Sequence, residues 1–153
     1  MSPAPATDAE AIDSISPDSL AIDLRTAVMR TSRRLRVEAT GETITPGQYT
    51  VLAQLHSDGP RTPRELAARE HVQAPSMTRI VNALAEQGFV SRSAHPEDGR
   101  QIQVCITPAG VEVLEEAREQ RTAWLAQRVA GLSPEDRLTL SRAAQIMQQM
   151  SGR

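Results

Sequence analysis

Residues 62–106 read TPRELAAREHVQAPSMTRIVNALAEQGFVSRSAHPEDGRQIQVCI, and the order of signals in this stretch sets the fold. Thr62-Pro-Arg-Glu65 is a capping box, in which proline takes the first helical position, threonine caps a free N–H and the glutamate reaches back to the cap. A short helix, PRELAARE, follows, with Leu66 and Ala67 inward. Ala74-Pro75 then opens a helix to about Gln87, whose Met77, Ile80, Val81 and Leu84 recur at steps of three and four and share one face. Gly88 ends it as a natural left-handed cap. Phe89–Ser93 and Gln101–Ile106 alternate around a turn holding Pro96 and Asp98-Gly99, the signal of a β-hairpin. The alternation puts Ile102, Val104 and Ile106 on one side and leaves Cys105 with Gln101 and Gln103, partly exposed.

Outward from this stretch, Ser16-Pro17, Thr45-Pro46, Thr107-Pro108 and Ser133-Pro134 mark four more helix starts, and Thr45 to Gln48 is a second capping box. The first helix carries Leu20, Leu24, Ala27, Val28, Thr31 and Leu35. The second carries Val51, Leu52 and Leu55 and stops at Asp58-Gly59. After the hairpin, the helix from Pro108 to about Ala130 places Val111, Leu114, Ala117, Trp124, Leu125 and Val129 on its apolar side. The last runs from Pro134 to about Met150 with Leu140, Ala143, Ala144, Met147 and Met150. The expected fold is mainly α with a small β-hairpin wing, ordered α-α-α-α-β-β-α-α, which is the layout of a winged helix-turn-helix with flanking helices.

Composition narrows the function classes. The chain has 153 residues and a net charge of −2, and all 17 of its basic residues are arginine. Every fixed positive charge is therefore a planar fork suited to phosphate, carboxylate or a guanine edge. Residues 1–23 hold five acidic residues and no basic one, whereas residues 24–100 hold eleven arginines against eight acidic residues. The first fifteen residues, rich in Ala, Pro and Ser, read as a disordered acidic tail. One cysteine excludes an intramolecular disulfide framework, and the three histidines, His56, His71 and His95, have no metal-ligand spacing. No apolar run approaches the roughly 20 residues of a membrane helix and no secretion signal is visible, so a cytoplasmic protein without membrane contact is expected. There is no Gly-rich phosphate loop and no nucleophile-base arrangement, so no enzyme and no cofactor are expected.

Two constellations carry chemistry. On the helix opened by Pro75, Ser76, Thr78, Arg79 and Asn82 crowd the first two turns, where short donors, acceptors and an arginine fork suit the major groove of DNA. Its cap is weak, Ala74 with Gln73 before it, which leaves N–H groups to meet a phosphate; Thr62 and Arg64 would hold phosphate on the preceding helix. The second is the hairpin tip, where Arg100 would enter the narrow minor groove beside His95, Asp98 and Gly99. Read singly, these are a solvated helix end and an ordinary turn; in this order they read as a recognition helix and a wing.

The stretch Asp98-Gly99-Arg100 to Ile106-Thr107, preceded by Leu84-x-x-x-Gly88-Phe89-Val90-x-Arg92 and by Val72 and Ser76 to Arg79, resembles the MarR family of bacterial transcription regulators over roughly residues 16–150. The resemblance implies a domain at 16–152, with the helix-turn-helix at about 62–87, the wing at about 89–106 and dimerisation helices at about 17–38 and 108–150. It further implies a homodimer on a pseudo-palindromic double-stranded DNA operator, acting as a repressor released by a small anionic or phenolic effector. Met29, Arg33 and Tyr49 are the candidate effector contacts. Alternatives are a winged-helix adaptor that binds protein instead of DNA, and a regulator that senses oxidants through Cys105. The target promoter, the effector's identity and the choice between repressor and activator are not legible.

Overall fold

Among the described residues, each of six helices begins beside a proline. The computed structural model describes residues 16–38, 43–94 and 100–152 and has, in chain order, α1 Pro17–Glu38, α2 Pro46–Asp58, α3 Pro63–Arg69, α4 Ala74–Glu86, β1 Val90–Ala94, β2 Ile102–Ile106, α5 Pro108–Ala130 and α6 Pro134–Met150. Both capping boxes form: Thr45 and Thr62 accept from the N–H of Gln48 and Glu65, whose side chains accept from the cap N–H at 2.8 and 2.7 Å. Thr107 and Ser133 cap α5 and α6. The start of α4 differs by one residue. Its cap is Gln73, whose side chain makes no capping bond, and Ala74 is already helical. Proline is accepted there because the second helical position also lacks an intrahelical acceptor for its N–H.

Gly88 closes α4 with φ +78, and its N–H and that of Phe89 donate to the carbonyls of Ala85 and Leu84, a Schellman ending. The chain is thereby turned straight into β1, which pairs antiparallel with β2 from Val90 opposite Ile106 to Ala94 opposite Ile102. One residue extends the sheet unannounced. Arg61 exchanges both backbone hydrogen bonds with Val104, so β2 has a neighbour on each side.

The core lies under the hairpin. Val51, Leu52 and Leu55 of α2, Leu66 and Ala67 of α3, Met77, Val81 and Leu84 of α4, Val90 and Val104 of the strands, and Val113, Leu114 and Ala117 of α5 are all buried. Ile80 and Ile106 pack partly buried against it, whereas Ile102, expected on the inner side, is exposed at the far end of β2. Gln54 donates to Glu70 and Arg69 pairs with Asp58, fixing α3 against α2, while buried Gln48 donates to Gln87 at 2.9 Å and ties α2 to the end of α4.

The long helices leave much of their apolar sides uncovered among the described residues. Only the first half of α5 is buried, through Gly110, Val113, Leu114 and Ala117, and Leu125 farther along is exposed. Val113 had not been assigned inward. Helix α6 buries no residue at all; Leu138, Leu140, Ile146, Met147 and Met150 face outward, as do Leu20, Val28 and Met29 on α1. The reason is plain from the layout: among the described residues the small winged core offers α5 only a few turns of contact, and beyond it α5 meets α1 across an open apolar groove.

Candidate nucleic-acid interface

With Met77, Val81 and Leu84 of α4 turned into the core, 3.6-residue periodicity leaves Thr78, Arg79 and Asn82 exposed on the opposite side, with Ser76 half-buried beside them. Thr78 donates its hydroxyl to the carbonyl of Ala74 at 2.9 Å, which holds the side chain against the helix and leaves its oxygen lone pairs outward. Gln73 and Ala74 are exposed at the start, where the missing side-chain cap leaves the first N–H groups open. Between α3 and α4, His71 sits at φ +52, a left-handed conformation that forces the tight change of direction between the two helices.

Thr62 does not present its hydroxyl as expected. It is buried, and its Oγ1 accepts from the N–H of Glu65 and donates to the Glu65 carboxylate at 3.0 Å. Its work is to fix the start of α3; Arg64, on the first turn of that helix, is the exposed group. At the wing, Arg100 is exposed at the edge of the described residues, while His95, Asp98 and Gly99 lie outside them.

Sequence reasoning missed Arg92 as a site residue. It stands opposite buried Val104, hence on the face of the hairpin shared with the core, and reaches across to donate to Asn82 Oδ1 on α4. Asn82, Ala85, Glu86 and Arg92 together line a shallow depression between helix and strand. No spacing rule could find this pair, because it joins two elements ten residues apart through their packing.

The start of α5 is bound into the same corner. Thr107 donates its hydroxyl to the Gly88 carbonyl at 2.7 Å and its N–H to the Phe89 carbonyl at 3.0 Å, while its Oγ1 accepts from the N–H of Gly110. Gly110 lies so close that a Cβ there would meet the Phe89 carbonyl oxygen at 2.1 Å. The end of α4, strand β1 and the start of α5 are thus joined through two residues.

The arrangement of two helices, strained turn and hairpin has counterparts. The MarR family profile matches residues 44–102. The uncharacterized HTH-type transcriptional regulator Mb0904 of Mycobacterium bovis is 44% identical over 128 residues, covering 84% of this chain and 90% of its own. The chain belongs to the MarR family. The HTH-type transcriptional repressor MdtR of Bacillus subtilis is 26% identical over 127 residues, 80% of this chain and 82% of that one. Among solved structures, RV1404 of Mycobacterium tuberculosis superposes with a TM-score of 0.69 at 26% identity, covering 99% of this chain and 100% of that one. Membership makes this a DNA-binding transcriptional regulator with a winged helix, in a family of regulators rather than enzymes. Among the described residues no helix is long and apolar enough to cross a membrane, and no group of three or more His, Cys, Asp or Glu is placed to hold a metal.

In this MarR-family chain the candidate effector residues fall in two places. Met29 and Arg33, with Arg30 and Arg36, line an open depression on α1. Tyr49 packs instead beneath α5: the Arg121 guanidinium carbon lies 3.3 Å from its ring centroid. Burial would lower the neighbouring Arg118, but hydrogen bonds with Tyr49 and Glu115 raise it above its ordinary value, so it keeps its charge. Arg121 Nε and Nη2 are buried without a hydrogen-bond partner among the described residues, and Arg121 also lines an apolar groove with Leu35, Thr122, Leu125, Ala126 and Val129 between α1 and α5. Cys105 is a half-buried free thiol.

Proposed function

We propose that the chain is a homodimeric cytoplasmic repressor that inserts α4 of each subunit into successive major grooves of a pseudo-palindromic operator. The observation that carries this is the division of α4 into an apolar face spent on the core and an exposed Thr78, Arg79 and Asn82 face that takes no part in the core. In this reading Ser76, Thr78, Arg79 and Asn82 meet base edges, Arg64 and the open N–H groups at Gln73 and Ala74 meet phosphate, and the tip residues His95, Asp98, Gly99 and Arg100 serve the minor groove. Thr62 contributes by position. Residues 16–152 act as one regulatory domain behind the acidic first fifteen, with the apolar sides of α1, α5 and α6 as the surface for a second copy. A small anionic or phenolic effector would release the DNA from the region of Met29, Arg33 and Tyr49, where Arg30 and Arg36 also line the depression on α1; the repressor name of the MdtR relative favours repression over activation.

Footprinting on the DNA flanking the chain's own gene tests the reading. Arg79→Ala is expected to weaken specific binding by about 1–3 kcal/mol and to relax one base position. Unchanged binding by Arg79→Ala combined with Arg100→Ala would refute it. A monomer in sedimentation at micromolar concentration would refute the dimer, and a panel of small phenols and aromatic carboxylates that leaves the footprint intact would remove the effector.

A further inference from the structure

We propose that Arg92 is a positioning residue that decides which base Asn82 accepts. An asparagine amide can read adenine with both ends at once, its oxygen accepting from N6 and its nitrogen donating to N7. A guanidinium is a donor only. By donating to Asn82 Oδ1, Arg92 fixes which end of the amide is oxygen, takes one of its two lone pairs and sets a cation beside the other that repels a second donor, so the Nδ2 hydrogens are the part best suited to a base edge. Asn82 then recognises an acceptor alone: N7 of either purine, O6 of guanine or O4 of thymine. Cytosine, which offers a donor, is rejected, and adenine loses its special advantage over guanine.

The geometry makes Arg92 suited to hold this arrangement. Its cross-strand register opposite Val104 puts it on the side of the hairpin that faces α4, exposed at the rim, and Ala85 and Glu86 wall the shallow depression in which it meets Asn82. The strand that leads to the wing therefore sets the lettering of the recognition helix.

This inference rests on the proposal that α4 reads bases, and its test separates the two. The full-length chain is used to select binding sites from a randomised duplex library, and the position read by Asn82 is found as the one whose preference disappears in Asn82→Ala. At that position the unmodified chain is expected to disfavour cytosine and to treat adenine and guanine alike. Arg92→Met keeps the stem but no donor, and is expected to raise adenine over guanine about fivefold or more as Oδ1 is freed. Arg92→Lys, a donor-only side chain, is expected to retain the original profile. The same profile in Arg92→Met with uniformly weaker binding would overturn the proposal and make Arg92 a phosphate contact, as would a strong adenine preference in the unmodified chain. A library from which the unmodified chain enriches no sequence would overturn the base-reading role of α4 itself. Thermal melting of the Met and Lys variants at the original temperature excludes unfolding as the cause.

Discussion

The winged half and the flanking helices use comparable apolar content in opposite ways. From α2 to the first turns of α5, leucines such as Leu52, Leu66, Leu84 and Leu114 are sealed inside the chain; on α6, Leu138, Ile146 and Met150 are 56%, 55% and 74% exposed. Fully burying such a side chain contributes about 1.5–3 kcal/mol, so the first half is stabilised by its own residues while the second holds that contribution in reserve. The difference teaches that the chain is one folding unit with an incomplete surface: the winged part is covered by its own residues, and the flanking part gains stability only when something covers it.

Four variants would break or sharpen that contrast. Leu66→Ala, at a position with no exposure, is expected to cost about 2–5 kcal/mol in urea unfolding, independent of protein concentration. A concentration-dependent loss would mean the winged core is not self-sufficient. Gly110→Ala forces a methyl group against the Phe89 carbonyl and should cost about 3 kcal/mol, with the hairpin amides losing hydrogen-exchange protection together with α5. Ile146→Ser should act on the other half: about 1.5 kcal/mol per subunit in association measured by sedimentation, with little change in the unfolding of dilute protein. The smallest effect is a gain. His71→Gly removes the left-handed strain in the turn and should stabilise by about 0.5 kcal/mol after the entropy glycine adds to the unfolded chain, read as a higher melting temperature.

Local chemistry made most of the fold legible. A Ser or Thr before Pro satisfies helix-start requirements within four residues, so the starts at Thr45, Thr62, Thr107 and Ser133 could be read directly, and Gly88 announced the end of α4 by its backbone freedom. Ala74 misled by one residue because neither it nor Gln73 has a side chain that caps, leaving no local signal to choose between them. The Arg61 bridge is a single residue and has no alternation to show. On α5 periodicity identified an apolar side, but which half of it is covered depends on how far the core extends. Within the candidate site, exposed residues on α4 followed from the burial of their neighbours, whereas Thr62 carried two meanings: the oxygen that suits a phosphate is the oxygen the capping box consumes. Arg92 depended on register and packing, which no local pattern encodes.

The two-faced construction of α4 also bears on how such a regulator changes over evolutionary time. Thr78, Arg79 and Asn82 can be exchanged without opening a cavity or removing a core contact, since Met77, Val81 and Leu84 hold the helix in place. On the proposed reading of α4, duplicated copies of the gene are thus free to drift toward new promoters through substitutions at three or four positions. The limit on that drift sits in the hairpin, because each new letter at position 82 must remain compatible with the arginine that faces it.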